Sequence, residues 1–176
     1  MRSKLACLVL AAVLSRASAA EPAAEEYRVK GAFLLNFAKF VEWPAPVFKA
    51  PGDPLAICVL GSNPFTAALE QAARAVVVDN RALTMRPIPD LQQAHACQIL
   101  FVGQSEKRRM HAVLEAVQGD SILTVGETDG FLAAGGVIEF RVEDGKVKID
   151  ISAAAAKRAG LHISAKLMSV AQSGKR

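Results

Sequence analysis

The chain has 176 residues, 52% hydrophobic and 22% charged, with twelve glycines and eight prolines. That excludes a disordered or collagen-like chain and fits one domain with a sizeable buried core. The formal net charge of +4 comes from 21 Lys and Arg against 17 Asp and Glu, but Arg2, Lys4 and Arg16 lie in the first twenty residues. Without those three the balance is 18 basic to 17 acidic residues, which excludes a nucleic-acid binder by composition.

Residues 1–20 read as a cleaved secretory signal. Arg2 and Lys4 form a positive start, Leu5 to Leu14 an apolar run, and Ala17-Ser18-Ala19-Ala20 a small-residue cleavage site. An anchor helix is the competing reading, but a helix over that run covers only about 15 Å, half a bilayer core. No later stretch has the roughly 18 apolar residues of a membrane span, so no direct membrane insertion is expected. Residues 21–26 look like a mobile start, 27–172 a single domain and 173–176 a tail.

From Tyr27, the apolar residues Val29, Phe33, Phe37, Phe40 and Val41 recur at helical spacing, with Arg28, Lys30, Asn36 and Lys39 between them. Pro44 ends that helix, and the proline-rich stretch 44–54 is a loop. Leu55–Gly61, Cys97–Gly103 and Ile122–Gly126 are short apolar runs suited to strands buried on both faces. Asn63 and Pro64 predict the start of a helix burying Phe65, Leu69 and Ala72. Val76–Val78 and Leu83–Ile88 are strands around the turn-like Asp79-Asn80. Asp90 caps a short helix, and Ser105 caps one with core positions Met110, Val113, Leu114 and Val117 that stops at Gly119. Ile138, Phe140 and Val142, then Val147, Ile149 and Ile151, alternate with polar residues around Asp144-Gly145, a hairpin with one wet face. Ser152 caps Ala153–Ala159, Gly160 ends that segment, and a last amphipathic piece runs from Ser164 to about Gln172. The pattern predicts an α/β fold: a three-layer sandwich whose mostly parallel sheet has an antiparallel C-terminal hairpin at its edge.

Three of these strands run into turns with small polar residues: Gly61-Ser62-Asn63, Gly103-Gln104-Ser105 and Gly126-Glu127-Thr128-Asp129. In a parallel sheet such turns line the edge where open α/β folds bind ligands. Gly61, Ser62, Asn63, Gly103, Ser105, Gly126 and Thr128 are therefore crevice candidates, or simply strand-to-helix turns. Glu127 and Asp129 oppose a phosphate there. No P-loop or Gly-x-Ser-x-Gly elbow occurs, and His95, His111 and His162 have no zinc spacing. We therefore expect no catalytic residues, no metal and no cofactor. Lys107-Arg108-Arg109 reads as a solvated helix face or a docking patch, and Trp43 as an interface anchor or a packed loop residue. Once Cys7 leaves with the signal, Cys58 and Cys97 remain. In an exported protein they form a disulfide staple or stay as two buried thiols.

The stretch Glu26-Tyr27-Arg28-Val29-Lys30-Gly31-Ala32-Phe33-Leu34-Leu35-Asn36-Phe37-Ala38-Lys39-Phe40-Val41-Glu42-Trp43-Pro44 resembles the opening signature of the YfiR family of periplasmic proteins. Further similar stretches are Ile57–Gly61 with Pro64-Phe65, Cys97–Gly103, Leu123–Gly126 with Gly130-Phe131, Gly135–Ile138 and Ala159–Leu167. The resemblance spans residues 25 to 172 and implies a periplasmic location, a homodimer and a Cys58–Cys97 disulfide. It further implies repression of an inner-membrane diguanylate cyclase through the cyclase's periplasmic domain, which lowers cyclic-di-GMP and biofilm formation. An OmpA-like outer-membrane lipoprotein would relieve the repression. Such a role needs an exposed docking patch, for which Trp43, Leu161, His162 and Lys166 are the candidates. The alternative is a periplasmic small-molecule sensor using the crevice at the strand C-terminal ends.

Overall fold

Alternate residues of the apolar runs face opposite sides of one sheet, so a strand reading Leu-Ala-Ile-Cys-Val-Leu needs cover on both faces. A computed structural model describes residues 20–173 and supplies both layers. Apart from Ala20 and Ser173, the expected leader and tail lie outside the described residues.

Helix α1 (Ala20–Phe40) leads into a two-residue strand, β1 (Val41–Glu42). Then come β2 (Leu55–Leu60), α2 (Ala67–Arg74), β3 (Val77–Val78), β4 (Arg81–Ile88), β5 (Ile99–Val102), α3 (Met110–Ala116) and β6 (Leu123–Gly126). The hairpin β7 (Ile138–Glu143) and β8 (Lys146–Ile151), α4 (Ala153–Arg158), β9 (His162–Ile163) and α5 (Ala165–Ser173) complete the described chain. The main sheet has the order β3-β4-β2-β5-β6-β7-β8. Neighbours from β4 through β7 are parallel, while β3 and β8 pair antiparallel at the two edges. Both hairpins turn on residues of positive φ, Asp79-Asn80 and Asp144-Gly145, which match the twist of the flanking strands. The expected mostly parallel sheet with an antiparallel C-terminal hairpin is present.

One face packs Ile57, Val59, Ile99, Phe101, Val125 and Phe140 under α1, α2, α4 and α5. Leu34, Phe37 and Ala38 form the buried stripe of α1 at i, i+3 and i+4, and Val41 of β1 continues the core beyond its end. The Phe37 and Phe140 rings stack at 6.0 Å, and Phe65 meets Phe101 edge-on at 5.1 Å. Each fully buried ring contributes about 1.5–3 kcal/mol. The other face packs Cys58, Leu60, Leu100 and Val102 against Met110, Val113, Leu114 and Val117.

Several local expectations shift. α1 begins at Ala20, so residues 21–26 are its first turns, and it ends at Phe40, where the chain extends into β1. Asn63 caps a tight turn, its side chain accepting from Phe65 N at 3.0 Å. α2 starts only after Thr66 and buries Ala73, four residues after the core-packed Leu69, where Ala72 was expected. Ser105 leaves its helix uncapped and bonds across to the loop after β2. The hairpin's outer face is not wholly wet. Glu139 is buried because the 131–136 connector lies over it, and its carboxylate accepts from Leu132 N at 3.0 Å.

Candidate functional site

The chain makes β2, adds β4 on one side, then returns to add β5 on the other. That switch point is where open α/β sheets leave a ligand crevice. The loops after β2, β5 and β6 do meet there, as the sequence suggested. They spend their polar groups on one another. Ser62 N donates to Ser105 Oγ at 2.9 Å, Gly103 N to Leu60 O at 3.0 Å, and Thr128 Oγ1 to Gln104 Oε1 at 3.0 Å. A methyl group on Gly61 would overlap Ser105, and one on Gly126 would overlap the fully buried Phe131 ring. Asn63 is exposed, with its amide donating to Glu70 at 3.1 Å.

Beside these turns lies a cluster that the sequence reading passed over. Lys30, placed on the polar face of α1, is only 3% exposed. Its ammonium pairs with Glu127 Oε2 at 2.7 Å and with Glu26, and stands 4.7 Å from the centre of the Tyr27 ring. Glu127 Oε1 also accepts from Gln104 N at 2.8 Å and from the Tyr27 hydroxyl at 3.3 Å. Burial, and then the Glu127 charge, push the Tyr27 phenol up to about 12, so it stays protonated. Residue 30 lies one helical turn before the buried Leu34, but only Glu127 facing it accounts for a charge buried there.

The second gathering place is at the other end of the strands. β1 and β9 pair antiparallel, with Val41 opposite Ile163 and Glu42 opposite His162, and Ser164 N donates to Phe40 O at 2.9 Å. This ladder brings Trp43, Leu161, His162 and Lys166 into one corner. Trp43 is half-buried against the core and donates its indole N–H to Gln98 O at 3.2 Å. Leu161 is 6% exposed and belongs to the core. The open surface is carried by His162 and Glu42, 3.6 Å apart with side chains 76% and 79% exposed, and by Lys166, whose ammonium lies 5.3 Å from the Phe40 ring centre. Two-residue strands leave no periodic trace, which is why β1 and β9 were not legible in advance.

The corner rests on a fixed floor. Gln98 N donates to Ala56 O at 3.0 Å, and its side chain accepts from Ala56 N at 2.8 Å. Next to it, Cys97 forms a disulfide with Cys58 across a Cα separation of 5.9 Å, both residues being buried. Among the described residues no cluster of His, Cys, Asp and Glu is arranged to hold a metal ion, and no helix is long and apolar enough to cross a membrane.

A solved structure of a conserved domain protein from Vibrio cholerae O1 biovar eltor strain N16961 is similar at 12% identity and a TM-score of 0.50. The match covers 83% of this chain and 58% of that one, so this chain spans little more than half of the other's length, and the likeness concerns the fold alone. No curated protein matches the sequence. The YfiR/HmsC-like family model matches residues 27–172, nearly all of the described chain. The chain belongs to the YfiR/HmsC-like family, whose members are periplasmic regulators.

Proposed function

We propose that this protein is a periplasmic repressor that holds an inner-membrane diguanylate cyclase inactive by binding its periplasmic domain, and so lowers cyclic-di-GMP and restrains biofilm formation. It acts as a soluble homodimer that catalyses no reaction, and an OmpA-like outer-membrane lipoprotein competes for it. The observation that carries the reading is the β1–β9 corner. Two stretches that carry the family resemblance, Glu26–Pro44 and Ala159–Leu167, are more than a hundred residues apart and hydrogen-bond to each other there. Docking uses Glu42, His162 and Lys166 as the exposed contacts. Trp43 and Leu161 support them from beneath, as their burial requires.

The test is cellular cyclic-di-GMP in a strain deleted for the protein and complemented with exported wild type or with a His162→Glu, Lys166→Glu variant. Deletion is expected to raise the nucleotide, wild type to restore it, and the variant to fail while reaching the periplasm folded. An unchanged level on deletion removes the cyclase reading; full rescue by the variant removes the corner. The sensor reading, with a crevice at Gly61, Gly103 and Gly126, is less well supported, because those loops bond chiefly to each other.

A further inference from the structure

A cavity of about 740 Å³ opens on the face of the sheet opposite α1, near the N-terminal ends of the strands. That volume lies within the roughly 300–1,000 Å³ usual for small-ligand sites. Its floor is formed by Ala56 of β2 and by Thr84 and Arg86 of β4. On β4 the residues Leu83, Met85 and Ile88 are buried, while Thr84 and Arg86 are half-exposed. One wall is the proline-rich loop 46–54. Arg81 clamps it by donating to Ala50 O at 3.1 Å and Asp53 O at 2.9 Å while its guanidinium lies 3.7 Å from the Phe48 ring centre. The opposite wall, residues 92–98 and 120–122, is tied by His95 Nδ1 to Asp120 Oδ2 at 2.6 Å.

The charges of this lining are unequally spent. Both acidic residues are engaged within the walls: Asp120 with His95, and Asp53 through its carboxylate, which accepts from Ala50 N at 2.7 Å. Arg86 makes one side-chain hydrogen bond, from Nη1 to the neutral amide oxygen of Gln93 at 3.2 Å. Among the described arginines, Arg28, Arg109 and Arg141 pair with carboxylates, Arg81 is held by carbonyls, and Arg74, Arg108 and Arg158 are exposed. Arg86 is thus half-buried with one neutral hydrogen-bond partner and no anionic one, and unlike Arg81 it is not tied down by backbone carbonyls; it lines a walled cavity. A guanidinium presents five N–H donors in a planar fork that matches a carboxylate or phosphate. Lys49 adds positive charge, Thr84 a hydroxyl, and Val47, Phe48 and Ile122 apolar surface.

We propose that this cavity binds a small organic anion, its carboxylate or phosphate held by Arg86 and its body against Phe48 and Ile122. The site is separate from the docking corner, and its test does not depend on the cyclase reading. The purified protein, with its disulfide intact, is titrated with benzoate, succinate and inorganic phosphate while ¹H–¹⁵N spectra follow the Arg86 side chain and the Thr84 and His95 amides. At least one probe is expected to give saturable shifts at these groups. Benzoate or succinate acting alone indicates a carboxylate ligand, and phosphate acting alone indicates a phosphorylated one. Arg86→Gln should weaken that binding by about tenfold or more, as loss of a charge-assisted bond predicts. Arg86→Lys, which keeps the charge and loses the fork, should fall between. No saturable shift with any probe at millimolar concentration, or equal affinity in wild type and Arg86→Gln, overturns the proposal.

Discussion

Replacing Lys30 by Met keeps an unbranched side chain only one atom shorter and removes the charge that neutralises Glu127. The two side chains are each 4% exposed, so neither can turn to water without moving α1 off the sheet. Glu26 is 30% exposed and can swing outward, but Glu127 would be left buried with only Gln104 N and the Tyr27 hydroxyl. Breaking a buried pair in this way costs about 3–5 kcal/mol, a large part of a domain's usual 5–15 kcal/mol. Urea unfolding followed by the emission of Trp43, the sole tryptophan, measures the loss. The double variant Lys30→Met, Glu127→Gln should recover a substantial part, because the amide carries no charge to bury and still accepts from Gln104 N. Positive coupling of about 0.5–3 kcal/mol is the expected signature. A single variant within about 1 kcal/mol of wild type would refute the reasoning, since ordinary surface substitutions fall near that range. So would a double variant that loses as much as the two singles together.

The Cys58–Cys97 bridge closes a loop of sequence separation 39, for which the chain-entropy estimate is about 4 kcal/mol. Replacing both cysteines by Ala should lower stability by up to that amount, and titratable thiols in the untreated protein would contradict the staple. Gly126→Ala should cost about 1–3 kcal/mol in the same urea assay, because the new methyl meets the buried Phe131 ring. Gln98→Leu removes the acceptor for Ala56 N and should cost about 1–3 kcal/mol while leaving the Trp43 bond, which goes to the Gln98 backbone. Tyr27 is the sole tyrosine, so phenolate absorbance reports it alone. It should titrate near pH 12 in the folded protein and near 10 in urea. Because the folded pKa is the higher one, this phenol's contribution to stability is complete below pH 10 and is lost as the pH rises through 12. A native midpoint near 10 would contradict both the burial of this phenol and its contact with Glu127.

The sheet was legible because its strands carry the right period: buried runs at Leu55–Leu60 and Ile99–Val102, and alternation through Ile138–Ile151 with Asp144-Gly145 at the turn. Local chemistry also read through. Asp90 accepts from Gln92 N at 2.9 Å and Ser152 from Ala155 N at 3.2 Å, both as caps. What sequence could not reach depends on partners distant along the chain. Lys30 looks like an ordinary surface lysine until Glu127, 97 residues away, is placed over it. Glu139 reads as a wet strand position until the 131–136 connector covers it. The docking candidates were named one by one, but their convergence rests on a two-residue ladder. Arg86 was not singled out, because an arginine's lack of a carboxylate partner can be seen only in three dimensions.

The distribution of spent and unspent polar groups argues about where this fold does its work. At the strand C-terminal ends, where open α/β proteins usually bind ligands, Ser62, Ser105, Gln104, Thr128, Glu127 and Lys30 are consumed in internal bonds. Near the strand N-terminal ends, Arg86 lines a cavity, and His162, Glu42 and Lys166 stand at the surface. Gln98 belongs to both of these places. It lines the cavity, follows the disulfide-bonded Cys97, and holds Trp43 through its carbonyl oxygen. An anion in the cavity would alter partner binding at the corner only if it bound the docked and free arrangements with different affinities. If it does, the shortest physical link between the two is the Gln98 backbone and the single indole hydrogen bond that it accepts.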